Sequence, residues 1–269
     1  MPLPADRPAL DLLEAHLEAL RDGTDLPLVH DPVALAAEEG DELATWAVDR
    51  VRCIPREPTD DFARHIGDLL TEVRCRRCPW NAAALRLLGD TYTFAATGPR
   101  RYEDWARDVL AVLHRSVPDP RGWIRIDGDR TNSARHTAPA YPFDPPDSSE
   151  LPRRLYPLEA DAAVAALAVM AEEWQSEPAP VRSRPNLNAV LADARTLLDR
   201  YGPTARYWTN ATAAASDPAP DFVAAGLQGT GSHGFRTSEY LKGLDLLDDL
   251  GLIAVNDDEV GVFWSFGAY

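Results

Sequence analysis

Leu10, Leu13, Leu17 and Leu20 recur at spacings of three and four, which places them on one face of a helix, and Gly23 follows as a stop signal. Asp31-Pro32 then offers an N-cap with proline at the first helical position, and after Gly40 a second apolar face runs through Leu43, Trp46, Ala47 and Val51. Thr59 opens another helix that turns Phe62, Ile66, Leu69, Leu70 and Val73 inward and ends before Pro79. The pattern continues over Asn81 to Leu88 and over Tyr102 to His114, where Trp105, Val109, Val112 and Leu113 form the stripe. Up to His114 the pattern predicts a helical bundle or irregular helical stack, with no fixed repeat period.

Near residue 120 the period changes. Residues 123–131 alternate about Asp127-Gly128, a pair suited to a tight hairpin turn. Residues 131–157 are dense in Pro, Ser and Asp and read as a loop or linker. Helical spacing resumes over Leu158 to Gln175 and Asn186 to Tyr201. A short strand is expected at Arg206 to Ala211, a helix around Asp221 to Leu227, an amphipathic helix from Thr237, and strands at Leu252 to Asn256 and Glu259 to Phe266. The organisation read from this is a helical domain over 1–130 ending in a hairpin, a Pro-rich loop over 131–157, and a segment over 158–269 with helices and a small sheet. The fold class expected is mainly α with small β elements (α+β): an N-terminal helical bundle plus a C-terminal subdomain.

From residue 186 the element order is helix, strand, helix, helix, strand, strand, and Leu244, Leu247, Leu250, Gly251, Leu252 and Ile253 mark a leucine face, a glycine and an apolar strand. That segment resembles the winged helix-turn-helix superfamily. The resemblance implies a winged-helix-like subdomain whose recognition helix begins at Thr237, whose wing turns at residues 256–259, and whose job is that of a transcriptional regulator.

Charge points elsewhere. The chain of 269 residues carries a net charge of -16, and all its basic residues but Lys242 are arginine, a bias that reads as the mark of a GC-rich coding genome. The expected recognition helix bears Glu239, Asp245, Asp248 and Asp249 against Lys242, and the expected wing adds Asp257 and Asp258. A major-groove helix must approach phosphates, so these carboxylates oppose DNA and favour cationic partners. The first expectation is therefore an acidic protein-binding protein, an immunity protein, antitoxin or adaptor, that meets a basic protein through Glu239, Asp245, Asp248, Asp249, Asp257 and Asp258. Nucleic acid is the less favoured partner and a membrane is not expected. No basic segment followed by an apolar core opens the chain, and no run approaches the roughly 18 apolar residues of a membrane span, so a cytoplasmic location is expected.

Chemistry-bearing motifs are sparse. Gly229-Thr-Gly-Ser-His-Gly234 fits G-x-G-x-x-G, yet too few residues follow to complete a nucleotide-binding half-sheet, and it reads as a loop before a Thr237 cap. Cys75 and Cys78 form one C-x-x-C pair, which Cys53 and His65 could complete as a zinc set; a single pair does not make the paired units of a structural zinc site, so no cofactor is expected and zinc is the alternative. Arg74, Arg76 and Arg77 beside Trp80 begin an arginine-rich stretch that reaches Arg135, a basic and aromatic face suited either to phosphates and bases or to docking on the chain's own acidic part. The six histidines show no HExxH spacing and no catalytic residue can be assigned. An enzyme, if the chain is one, would place its site at the loops over 131–140, with Arg135 and His136, and over 229–234.

Overall fold

A computed structural model describes residues 8–23, 64–70, 73, 78–89, 92–117, 119, 121–123, 126, 140–172, 180–227, 234–236, 240–241 and 244–268. The chain divides into two compact units, Met1–Ala82 and Ala83–Tyr269. In the first, α1 (Pro8–Arg21) is the expected helix, with Leu17 buried, and it ends where Gly23 takes a φ of +67°, a conformation glycine adopts without a Cβ penalty. Residues 64–70 are also helical and bury Ile66, Leu69 and Leu70, as their spacing predicted. The helix α2 (Pro79–Leu87) starts on its proline, whose missing N–H costs nothing at that position.

The second unit is organised by a sheet. Its strands are β1 (Thr93–Pro99), β2 (Tyr156–Leu158), β3 (Arg206–Thr209), β4 (Tyr240–Leu241), β5 (Leu244–Val255) and β6 (Glu259–Ala268). Five of them lie in the order β1-β6-β5-β3-β2, all pairs antiparallel, and the two-residue β4 pairs with the start of β5. Register places Phe94 opposite Trp264, Ala96 opposite Val262, and Val262 opposite Ile253.

Strand alternation sends these residues to one face. There they pack with Ala106, Val109, Val112 and Leu113 of α3 (Trp105–Leu113) and with Trp123, Phe143, Leu151 and Phe235. The opposite face, carrying Leu250, Leu252, Ala254 and Phe263, is met by α4 (Ala160–Met170) and by Tyr201, just beyond α5 (Leu187–Asp199). Helices thus cover both faces, which is why β5 and β6 are apolar almost throughout over residues 250–255 and 260–266. Each fully buried ring, such as Phe94, Phe143, Phe263 or Phe266, contributes about 1.5–3 kcal/mol.

The expectation of a mainly helical α+β chain, an N-terminal bundle followed by a winged-helix-like subdomain, is overturned. A five-stranded antiparallel sheet with helices packed on it forms the body of the second unit, an α/β architecture. Of the stretch read as a recognition helix from Thr237, residues 240–241 are β4 and those from Leu244 onward are β5, while 237–239 and 242–243 lie outside the described residues. Leucines three apart at positions 244, 247 and 250 suit a helix, but a register shift between Leu246 and Asp248 lets the same residues run as a bulged strand, and the long apolar β6 decides between the two by offering a partner. Trp123 and Ile126, expected in a hairpin, are helical.

Other elements match their sequence patterns. The strand expected at Arg206 is β3, the strand expected at 252–256 is the end of β5, which stops at Val255, and the strand expected at 259–266 lies within β6. The Asp104 side chain caps α3 by accepting from the Ala106 N–H at 3.0 Å. The short α6 (Phe222–Ala225) is capped by Asp221, which accepts from the Ala224 N–H at 2.9 Å.

Candidate functional site

One end of the sheet is built by Arg100, the residue that follows β1. Its backbone N–H donates to the Asp258 carbonyl at 2.8 Å and its Nη1 to the Asn256 carbonyl at 2.9 Å, fixing it to the β5–β6 turn. Its Nη2 donates to the Tyr102 and Glu103 carbonyls, each at 3.1 Å, and its Nε to Asp108 Oδ2 at 3.0 Å. Asp108, on α3 and almost wholly buried, also accepts from the Arg101 N–H at 3.0 Å. The guanidinium is therefore a bracket between the segment entering α3 and the turn joining β5 to β6.

The turn itself is shaped by Asn256. Its Oδ1 accepts from the Asp258 and Glu259 N–H groups at 2.9 and 2.7 Å, and its Nδ2 donates to the Tyr201 carbonyl at 3.0 Å. Asp257, Asp258, Glu103 and Asp104 all stand exposed at this end of the sheet. Among them lies Tyr102, 41% exposed, with the Arg107 guanidinium 3.8 Å over its ring.

The remaining expected partner-binding residues do not join this surface. Asp248 is exposed on β5; Asp245 lies opposite Tyr240, its side chain outside the described residues, as is Glu239. Asp249 is buried. Its Oδ2 accepts from Trp264 Nε1 at 2.8 Å, the Phe235 N–H at 3.0 Å and Asn210 Nδ2 at 3.2 Å, and its Oδ1 accepts from Arg236 Nη1 at 3.4 Å. Burial pushes this carboxyl up to about 6, against the opposing pull of Trp264, Phe235 and Arg236.

Gly251 makes the arrangement feasible: a Cβ there would run into the Trp264 indole, which lies across the strand with its N–H reaching Asp249. Gly251→Ala is expected to cost about 1–3 kcal/mol through overpacking, measurable as a lowered midpoint of thermal unfolding; an unchanged midpoint would mean the indole moves aside freely. Asn210 extends β3 with its side chain, donating to the Asp249 carbonyl at 3.1 Å and accepting from the Gly251 N–H at 2.7 Å.

The segments that follow the two loops named for an enzyme site meet beside this carboxylate, while residues 131–139 and 229–233 themselves lie outside the described residues. Phe143 bridges Arg236, and the Asp144 N–H donates to the Phe235 carbonyl at 2.7 Å, so the exits of the two loops are joined. Arg135 and His136 lie outside the described residues. With both oxygens of Asp249 engaged by donors from the protein and its side chain wholly buried, the carboxylate serves as a tie between β5, β6 and the 235–236 segment.

Trp80, expected on a basic and aromatic face, is buried, which withdraws its ring from any base; Arg74, Arg76 and Arg77 lie outside the described residues. Of the expected zinc set, His65 and Cys78 are exposed while Cys53 and Cys75 lie outside the described residues, and among the described residues no three His, Cys, Asp or Glu side chains gather as a metal would require. No described helix is long and apolar enough to cross a membrane.

Comparison of the chain with protein-family models, with curated proteins and with solved structures finds no match in any of the three.

Proposed function

We propose that this chain is a protein-binding protein that engages a basic partner, as an immunity protein, antitoxin or adaptor does, and that the partner meets the end of the sheet carrying Tyr102, Glu103, Asp104, Asp257 and Asp258. The observation that carries this reading is the Arg100 bracket, which spends its cation inside the fold to hold two acidic segments side by side. Holding the backbones of the two segments together sets four exposed carboxylates side by side before a partner arrives, so the entropic cost of association is reduced. An exposed tyrosine among them supplies the aromatic anchor on which protein interfaces concentrate their energy. The net charge of -16 would steer a cationic protein toward the chain and slow its approach to polynucleotides.

The test uses basic proteins captured on the full chain and then purified. Binding should weaken about tenfold or more in Tyr102→Ala and in the combined Glu103→Gln, Asp104→Asn, Asp257→Asn and Asp258→Asn variant, and should fall steeply with salt. Asparagine keeps the Asp104 cap, so the variant retains the fold. Affinity that ignores all five substitutions, or tight retention of duplex oligonucleotides through the same residues at physiological salt, would overturn the proposal.

A further inference from the structure

Three arginines border the β5–β6 turn, and each is already committed. Arg100 pairs with Asp108 at 3.0 Å, Arg121 with Asp119 at 2.8 Å, and Arg200 with Glu259 at 2.7 and 2.9 Å. Exposed Glu103, Asp257 and Asp258 form no ion pair and no side-chain hydrogen bond among the described residues. The pairing of all three arginines thus leaves these carboxylates without a counterion.

The turn that carries two of them is clamped from both sides. On the side of the segment entering α3, Arg100 donates to the Asn256 and Asp258 carbonyls. On the side where α5 ends, Asn256 Nδ2 donates to the Tyr201 carbonyl and Arg200 holds Glu259. Asn256 also closes the turn, since its backbone N–H donates to the Glu259 carbonyl at 3.1 Å and its Oδ1 accepts from the Asp258 and Glu259 N–H groups. One half-buried side chain therefore sets both the shape of the turn and its tie to the end of α5.

We infer that Asn256 is the positioning and specificity-determining residue of this surface: it holds Asp257 and Asp258 at a fixed offset from Glu103 and Asp104, so that the surface selects a folded basic protein with matching cations over a flexible polycationic tail. The inference rests on the basic-partner reading above. A preset surface favours a rigid partner because neither side then gives up much freedom on contact, whereas a tail must lose its own freedom whatever the surface does.

The test compares the basic protein captured on the full chain with a nona-arginine peptide. Asn256→Ala alters no charge, yet it should weaken the captured protein by about tenfold or more and the peptide by less than about twofold. Asn256→Asp keeps an oxygen for the Asp258 and Glu259 N–H groups and should bring the captured protein back to within about threefold of the wild type. Amide hydrogen exchange at Asp258 and Glu259 should be at least about tenfold faster in Asn256→Ala and should return toward the wild-type rate in Asn256→Asp. Equal losses for protein and peptide would mean that the variant has lost its fold or its field, and would overturn the inference; so would unchanged exchange, or no recovery in Asn256→Asp. Capture that depends on Tyr102 but not on Asn256 would sink this inference alone. If the wild type captures no basic protein, the proposed function falls and takes this inference with it.

Discussion

Asp108→Ala is expected to lower the stability of the protein by about 3–5 kcal/mol, the loss found when one member of a buried ion pair is removed and the other is left behind. The Asp108 side chain is 1% exposed and the Arg100 side chain 14% exposed, so water is poorly placed to replace the carboxylate. Deletion strands the Arg100 Nε and the Arg101 N–H together. Urea unfolding of the variant beside the wild type measures the loss, and a difference under about 1 kcal/mol would show that the carbonyls of Asn256, Tyr102 and Glu103 suffice to hold the guanidinium. The conservative Asp108→Asn carries a functional corollary: it alters no exposed charge, yet by loosening the bracket it should weaken a basic partner.

The second large effect is a pH dependence centred on Asp249. Its carboxyl is raised from an ordinary 3.8 to about 6, chiefly by burial, so between those values the folded chain holds a proton that the unfolded chain has lost. Stability from this group is fully present below about pH 4 and is lost as pH rises through about 6, a change of about 3 kcal/mol at roughly 1.4 kcal/mol per pH unit. Asp249→Asn cannot titrate. The stability of the wild type minus that of the variant should therefore fall by about this amount between pH 4 and pH 8, a comparison that cancels the general repulsion of an acidic chain. A difference that grows with pH would mean that four donors outweigh desolvation and that the carboxyl lies below its ordinary value.

What could be read in the sequence follows from how many sides of an element are buried. The helices α3 and α5 each bury one stripe, and the spacing of three and four reports it directly. In β1, Thr93-Phe-Ala-Ala-Thr-Gly-Pro99, six of seven residues are buried, so no alternation distinguishes it. The run from Leu244 to Leu250 carries leucines at a spacing that both a helix and a bulged strand accept, and the partner that decides lies fifteen and more residues onward. Asp249 was invisible for a related reason. In a run of acids a carboxylate reads as solvated, and the four donors that bury it come from residues 210, 235, 236 and 264. At the proposed interface, Asp257 and Asp258 were legible as an exposed acidic turn, whereas the pairing of Arg100 with Asp108 was not, because nothing in a linear arginine-rich stretch says which guanidinium turns inward. Tyr201 and the Asp119–Arg121 pair gave no signal at all, since Tyr201 ends over Gly261 and Asp119 accepts from the Thr97 N–H, residues distant from them in the sequence.

That sheet has an order of assembly written into it. Residues 93–99 pair with residues 259–265, and β3 pairs with β5, so apart from the short contact of β2 with β3 each strand waits for a neighbour made later in the chain. A ribosome-bound chain would carry the apolar β1 unpaired while more than a hundred residues are added, a window in which a chaperone holding it would matter more than any single contact of the finished fold.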